Sequence, residues 1–191
     1  MKALNGLLRV PSCRIAAISL LVLALDQVTK RMVIHYLGHG EEKVVVDGFF
    51  KLVYWGNTGA AWSLFRGNNA LLAIIALAAL LVLFLTRHHF ASHTHAGQVA
   101  LGLIFGGIVG NLIDRLRVEH VIDFLYFYVQ PRGHEEIGFP AFNIADMAIC
   151  IGVAMILLIS WRSDTQSKSA TSIPGNNSHN PLNPKSAADK T

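Results

Sequence analysis

Residues 70 to 86 read Ala70-Leu71-Leu72-Ala73-Ile74-Ile75-Ala76-Leu77-Ala78-Ala79-Leu80-Leu81-Val82-Leu83-Phe84-Leu85-Thr86. This run of Ala, Leu, Ile, Val and Phe offers no polar face to water, so its solvent is lipid. At the rise of an α-helix it covers roughly 25 Å, close to the ~30 Å of a bilayer's hydrocarbon. Only a helix satisfies every backbone N–H and C=O there. The segment holds no group capable of chemistry and is read as scaffold.

Three further windows have this character, at about 15–36, 97–114 and 142–161. The spacing predicts an all-α membrane protein with four transmembrane helices over residues 1–161 and a small β-sheet or hairpin on the outer membrane surface. Composition agrees, because 52% hydrophobic and 15% charged residues in a chain of 191 is too apolar for one soluble core. The net charge of +4 does not point to nucleic acid, since no Lys/Arg stripe carries interleaved aromatics. Cys13 and Cys150 sit in or beside apolar runs, far apart, and are read as small apolar residues. Lys2, Arg9 and Arg14 precede the apolar run Ile15 to Leu25 as in a secretory signal. No small-residue cleavage site follows, so the run is expected to be an uncleaved first span.

Gly102, Gly106 and Gly110 recur every four residues in the third window, with Gly107 beside them, predicting a groove for close packing of another helix. Four crossings place both termini and the Arg87–Ala96 loop on one side, and segments 37–69 and 115–141 on the other. Ten of the twelve acids fall on the second side, which makes it the side to search for chemistry. Lys and Arg divide eight to eight and leave orientation open. Within 37–69, Val44-Val45-Val46, Asp47-Gly48 and Phe49 to Trp55 predict a β-hairpin. Trp55, Trp62 and Phe65 suit the headgroup level. The aromatic run 124–129 is expected along the surface, with a turn at 131–133. Residues 162–191 are polar and aperiodic and predict a disordered tail, whose Asn176-Asn177-Ser178 matches a glycosylation sequon.

Ionisable groups inside membrane helices cost on the order of 2.5–3.5 kcal/mol each and require a partner or a purpose. Asp26 and Lys30 lie one turn apart on the first helix and can pair. Asn111 and Asp114 share a face at the end of the third helix, with Arg115 next along, and Asn143 and Asp146 repeat that spacing at the start of the fourth. Between them Asp123 sits among apolar neighbours. Since the third helix ends where the fourth begins, Asp114, Asp123 and Asp146 can converge. Two carboxylates in one site share a proton, so that one acts as acid and the other as base, as aspartyl peptidase chemistry requires. A polar cluster that only specifies helix packing fits the spacing equally well.

The strings Asp26-Gln27-Val28-Thr29-Lys30, Asn57-Thr58-Gly59-Ala60-Ala61-Trp62-Ser63, Gly110-Asn111-Leu112-Ile113-Asp114-Arg115, Val121-Ile122-Asp123-Phe124 and Phe142-Asn143-Ile144-Ala145-Asp146 together resemble the motif set of signal peptidase II, the prolipoprotein signal peptidase. They stand in that family's order over about residues 15–161. The resemblance implies a catalytic dyad of Asp123 and Asp146. It assigns Asn57, Asn111, Arg115 and Asn143 to orienting the substrate or the dyad, Asp26, Lys30 and Asp114 to supporting the site, and counts Gly59 among the substrate-binding or site-supporting residues. It further implies cleavage of diacylglyceryl-modified prolipoproteins just before the lipidated cysteine, on the outer face of the bacterial cytoplasmic (inner) membrane, with both termini cytoplasmic. No cofactor or metal is required; the partners are the lipid-modified prolipoprotein and membrane lipid, and the chain is expected to act as a monomer. Where the family often has glycine shortly before the Val-x-Asp-Phe motif, this chain has Glu119-His120.

Other chemistry is poorly supported. His88, His89, His93 and His95 cluster without an acid or cysteine nearby, His134-Glu135-Glu136 lacks a second histidine, and Ser63 has no base at a telling distance. A small proton-coupled transporter is the competing reading, weakened because the acids gather near one surface and the second helix continues no proton path.

Overall fold

A computed structural model describes residues 10–59, 65, 67–88, 94–131 and 134–171. Expectations for Lys2, Arg9, Trp62, Ser63, His89, His93, the turn at Arg132-Gly133 and the sequon fall outside the described residues. Four long helices are present, α1 (Pro11–Tyr36), α2 (Asn69–Thr86), α3 (His95–Arg117) and α4 (Ile144–Thr171). Each contains a stretch long and apolar enough to cross a membrane, which bears out the expectation of four transmembrane helices. Their ends follow local chemistry. Pro11 occupies the first turn of α1, where its missing N–H costs nothing. Thr94 caps α3 by accepting from the N–H of Gly97 at 3.0 Å.

Helix α4 runs on through residues 162–171, which composition alone assigns to a disordered tail. No glycine or proline stands between Arg162 and Pro174, so the helix propagates past the end of its apolar stretch.

Helices α1 and α3 lie parallel. Arg14 Nη1 donates to Gln98 Oε1 at 3.0 Å, Ser19 Oγ to the Gly102 carbonyl at 3.1 Å, and Gln27 Nε2 to the Gly110 carbonyl at 3.3 Å. The glycine groove is what permits this. A Cβ on Gly102 would come within 2.7 Å of Ile18, one on Gly106 within 2.6 Å of the Ser19 carbonyl, and one on Gly110 within 2.6 Å of Asp26 Oδ2. Gly107 faces the other way, where a Cβ would meet the Ala145 carbonyl of α4 at 2.5 Å. Helix α3 is therefore the axis of the bundle, gripped by α1 on one face and α4 on another. By contrast, α2 buries only Leu72 and Ala73 among its described residues and turns the rest of its apolar surface outward, as a lipid-facing scaffold should.

At the end where α1 and α3 finish and α4 begins stands an antiparallel sheet of four strands in the order β1 (Glu42–Val46), β2 (Phe50–Asn57), β3 (Val121–Val129) and β4 (Ile137–Gly138). The β1–β2 hairpin matches expectation. Its turn is closed by the Phe49 N–H to the Val46 carbonyl at 3.1 Å, with Gly48 at φ 70°, a conformation that glycine takes without strain. The run at 124–129 does more than lie along the surface, because β3 pairs with β2 and unites the two outer segments. That pairing sets Trp55 against Asp123 and Asn57 against Val121. Val33 of α1 and Leu37 just past its end pack with Phe124, fixing the sheet to the bundle.

Glu119 adopts φ 64°, in the left-handed region. The chain turns sharply between α3 and β3 there, in a conformation that glycine takes without strain and a residue with a Cβ does not.

Gly106→Ala is expected to destabilise the protein by about 1–3 kcal/mol, because its methyl group meets backbone rather than a movable side chain. Leu77→Ala on the outward face of α2 is expected to change stability by less than ~1 kcal/mol. Thermal unfolding of both variants in the same detergent checks the difference.

Candidate active site

The site grows from a buried cation. Lys30 on α1 is 1% exposed and Asp26 is fully buried. The Lys30 Nζ lies 2.9 Å from Asp26 Oδ2 and 2.6 Å from Asp114 Oδ2, and donates to Asn111 Oδ1 at 3.0 Å. Three ammonium protons thus meet three acceptors. Removing the cation alone would leave two buried carboxylates uncompensated, which is far more costly than never having buried the group. Asp26 also accepts the Ala145 N–H at 3.0 Å through Oδ1, and Asp114 accepts the Ile122 N–H at 3.3 Å. The pair therefore holds the start of α4 and the start of β3 in place as well as neutralising charge.

Because Asn111 Oδ1 receives Lys30, its amide nitrogen must point the other way. It donates to Asp146 Oδ1 at 2.7 Å. Asn143 and Asp146 form a reciprocal cap at the head of α4. The Asp146 N–H donates to Asn143 Oδ1 at 2.9 Å, while the Asn143 N–H donates to Asp146 Oδ2 at 3.3 Å. This fixes the Asn143 amide with its nitrogen toward Asp123, where it donates to Oδ1 at 2.8 Å. Asn57 donates to the other oxygen of Asp123 at 2.9 Å. The β2–β3 register makes that contact possible, since residues 57 and 123 are diagonal neighbours on one face of the sheet.

Asp123 is only 3% exposed. Burial, and next the charge of Asp146, push its carboxyl up to about 7, against the hydrogen bonds from Asn57 and Asn143 and the attraction of Lys30. The carboxyl keeps its proton at a pH where an ordinary aspartate has long lost it. An acid that can donate a proton near neutrality, next to a second carboxylate, is the equipment for adding water to a carbonyl and releasing an amine.

A second arm of the network reaches α2. Arg115 Nη2 donates to the Gly59 carbonyl at 2.8 Å and Nη1 to Asn69 Oδ1 at 3.2 Å, while Asn69 Nδ2 returns a bond to the Arg115 carbonyl at 2.8 Å. The Gly59 N–H donates to Asn57 Oδ1 at 2.9 Å, orienting the Asn57 amide toward Asp123. All ten residues singled out in the sequence, Asp26, Lys30, Asn57, Gly59, Asn111, Asp114, Arg115, Asp123, Asn143 and Asp146, therefore belong to one connected network.

The relationships to known proteins bear directly on this geometry. The family described as Signal peptidase (SPase) II matches residues 18–162. The chain belongs to the signal peptidase II family. It is 39% identical over 150 residues to the lipoprotein signal peptidase of Syntrophotalea carbinolica, covering 76% of this chain and 89% of that protein. With the lipoprotein signal peptidase of Bacillus subtilis it shares 33% identity over 151 residues, 79% of this chain and 94% of that one. A bacterial membrane enzyme solved by the in meso method at 2.3 Å superposes with a TM-score of 0.66 at 30% identity, covering 87% of this chain and 93% of the other. A second, solved by the same method at 1.9 Å, gives a TM-score of 0.63 at 33% identity over 75% and 89% of the two chains. The protein is thus a membrane-embedded, multi-pass protease of signal peptidase II type, an aspartic-type enzyme.

Two members of the network escape the sequence reading. Gln27 donates to Asp114 Oδ1 at 3.0 Å and to Asp26 Oδ2 at 3.3 Å, bracing the ion cluster. Its signal was a second polar residue beside Asp26 inside a span. Asn69, at the first position of α2, lies just outside the apolar window that starts at residue 70. The third unread signal is the Asn-x-x-Asp spacing of residues 143–146, which is a helix-capping pattern as well as a pair of polar groups on one face.

Lys30→Met is expected to cost about 3–5 kcal/mol, since it strands two buried carboxylates. Lys51→Met is expected to cost ~1 kcal/mol or less, although Lys51 also touches two acids, Glu42 at 3.0 Å and Glu136 at 2.6 Å, because that triad sits at the surface of the sheet. Denaturation midpoints of the two variants, measured in parallel, distinguish the cases.

Proposed function

We propose that Asp123 and Asp146 form the catalytic dyad with which this protease removes signal peptides from prolipoproteins. The observation that supports this most is that Asn143 touches both residues, accepting the Asp146 N–H and donating to the Asp123 carboxylate. In this reading Asp123 carries the shared proton and Asp146 is the base. Asp146 takes a proton from water, the resulting hydroxide attacks the carbonyl carbon of the scissile peptide, and Asp123 protonates the developing oxyanion. Collapse of the tetrahedral intermediate, with a proton passed to the nitrogen, releases the new amine. No covalent intermediate arises, and the two side chains supply all the proton transfers.

Asn57, Asn111 and Asn143 are the positioning residues, and Arg115, through Gly59, holds Asn57. Asp26, Lys30 and Asp114 support the frame. The substrate bond is the one just before the lipidated cysteine of a diacylglyceryl-modified precursor. A lipid anchor holds that bond at headgroup level, the depth that this reading assigns to the carboxyls beside the ends of α1, α3 and α4. We further place the site near the outer face of the bacterial cytoplasmic membrane, with both termini cytoplasmic, residues 1–161 as a monomeric peptidase domain and the remaining residues as a cytoplasmic tail. The ten-to-two division of acids toward the sheet-bearing side supports one active face. A proton-coupled transporter is not favoured, since the network ends at that face and α2 offers no polar path.

Asp123→Asn and Asp146→Asn are each expected to lower the cleavage rate of a diacylglyceryl-modified precursor by at least about 10³-fold while the thermal midpoint stays within a few degrees. Substantial turnover in either variant removes that residue from the dyad. For pH, the sign follows from the raised carboxyl. Below about 7 Asp123 is protonated and able to act as acid, and above it the proton is lost. The expected kcat/KM therefore declines as pH rises through about 7, and a level profile through that range contradicts the assignment.

A further inference from the structure

A separate concave feature opens on the seam between α1 and α3. It is a cleft of about 70 Å³ lined in part by Lys30, Arg31, Ile34, Asp114, Arg117 and Val118. Lys30 and Asp114 are buried at its floor, where the ammonium pairs with Asp114 at 2.6 Å and with Asp26 at 2.9 Å, so the floor supplies no free cation. Arg31 and Arg117 are exposed, and among the described residues neither has an ion-pair or hydrogen-bond partner. Two guanidinium groups on adjoining helices that share one cleft repel each other unless an anion lies between them.

The surroundings say what kind of anion. Ile34 of α1 and Val118 at the end of α3, which line the cleft, are exposed at 42% and 41%. The basic pair thus stands at the end of two spans, bordered by side chains suited to acyl chains. We infer that this cleft binds the phosphate of an anionic phospholipid headgroup, with Arg31 and Arg117 as the donors and the acyl chains lying along the adjacent apolar surface. Planar guanidinium forks match phosphate oxygens in bidentate geometry, and basic groups at the ends of spans are attracted to anionic lipid. The diacylglyceryl group of the substrate carries no charge and does not satisfy this site. Soluble phosphate satisfies the charge but makes no use of the apolar border.

Native mass spectrometry of the detergent-purified full chain, titrated with phosphatidylglycerol or phosphatidylcholine, tests the site. The wild type is expected to retain one phosphatidylglycerol in preference to phosphatidylcholine. The Arg31→Gln/Arg117→Gln variant is expected to bind it roughly thirtyfold more weakly. The Arg31→Lys/Arg117→Lys variant, which keeps the charge and loses the fork, is expected to fall between them. Peptidase activity of all three in pure phosphatidylcholine is expected to be equal, which establishes that the variants are folded. Equal binding of the two lipids by the wild type, or undiminished phosphatidylglycerol binding by the glutamine variant, overturns the proposal. Displacement of the lipid by an equal concentration of inorganic phosphate also overturns it, by assigning the cleft to a soluble anion. Should the glutamine variant lack activity, the lysine variant decides, and wild-type affinity in it counts against the arginine fork.

Discussion

A single ammonium group buried at the end of a helix bundle organises this protein. Lys30 has no water to hydrate it, so it must be met by Asp26, Asp114 and Asn111 at once, at separations between 2.6 and 3.0 Å. Those three acceptors lie on two helices, and satisfying them locks α1 and α3 in one register. The glycines of α3 make the approach possible. At Gly110 even a methyl group would intrude on the Asp26 carboxylate, so packing and electrostatics are two aspects of one contact.

From that cation a chain of side-chain amides carries orientation outward. An asparagine amide has one accepting and one donating end, so fixing either end fixes the other. Lys30 occupies the accepting end of Asn111, which aims its nitrogen at Asp146. The head of α4 occupies the accepting end of Asn143, which aims its nitrogen at Asp123. Gly59 does the same for Asn57. Each carboxyl is thereby held by donors whose direction was set elsewhere, which is the preorganisation that the proposed dyad requires. Burial and the neighbouring carboxylate then keep a proton on Asp123 near neutrality.

Much of this was legible in the chain, and the remainder was hidden for physical reasons. Residues 70–86 announce lipid because uninterrupted apolar side chains have no other stable surroundings. The three glycines announce a close helix contact, and the hairpin is written in Asp47-Gly48. Pairs three and four apart on helices reveal which polar groups share a face. The partner of Val121–Val129 was not readable, because its pairing with residues 50–57 is nonlocal and nothing in a local pattern specifies it. That pairing is what brings Asn57 to Asp123. Asn69 was missed because it marks a boundary rather than an apolar run, and the helix through 162–171 was missed because polar composition argues for disorder even where no breaker stops a helix already begun.

The most direct measurement is carbon-13 NMR of aspartate carboxyls, labelled at Cγ, in the full chain embedded in lipid nanodiscs and followed across pH. One carboxyl resonance is expected to titrate near pH 7 and to vanish in the Asp123→Asn protein, while Lys30→Met perturbs it only in molecules that remain folded. A resonance assigned to Asp123 that completes its titration in the ordinary carboxylate range near pH 4 would contradict the view that this network stores a proton for catalysis.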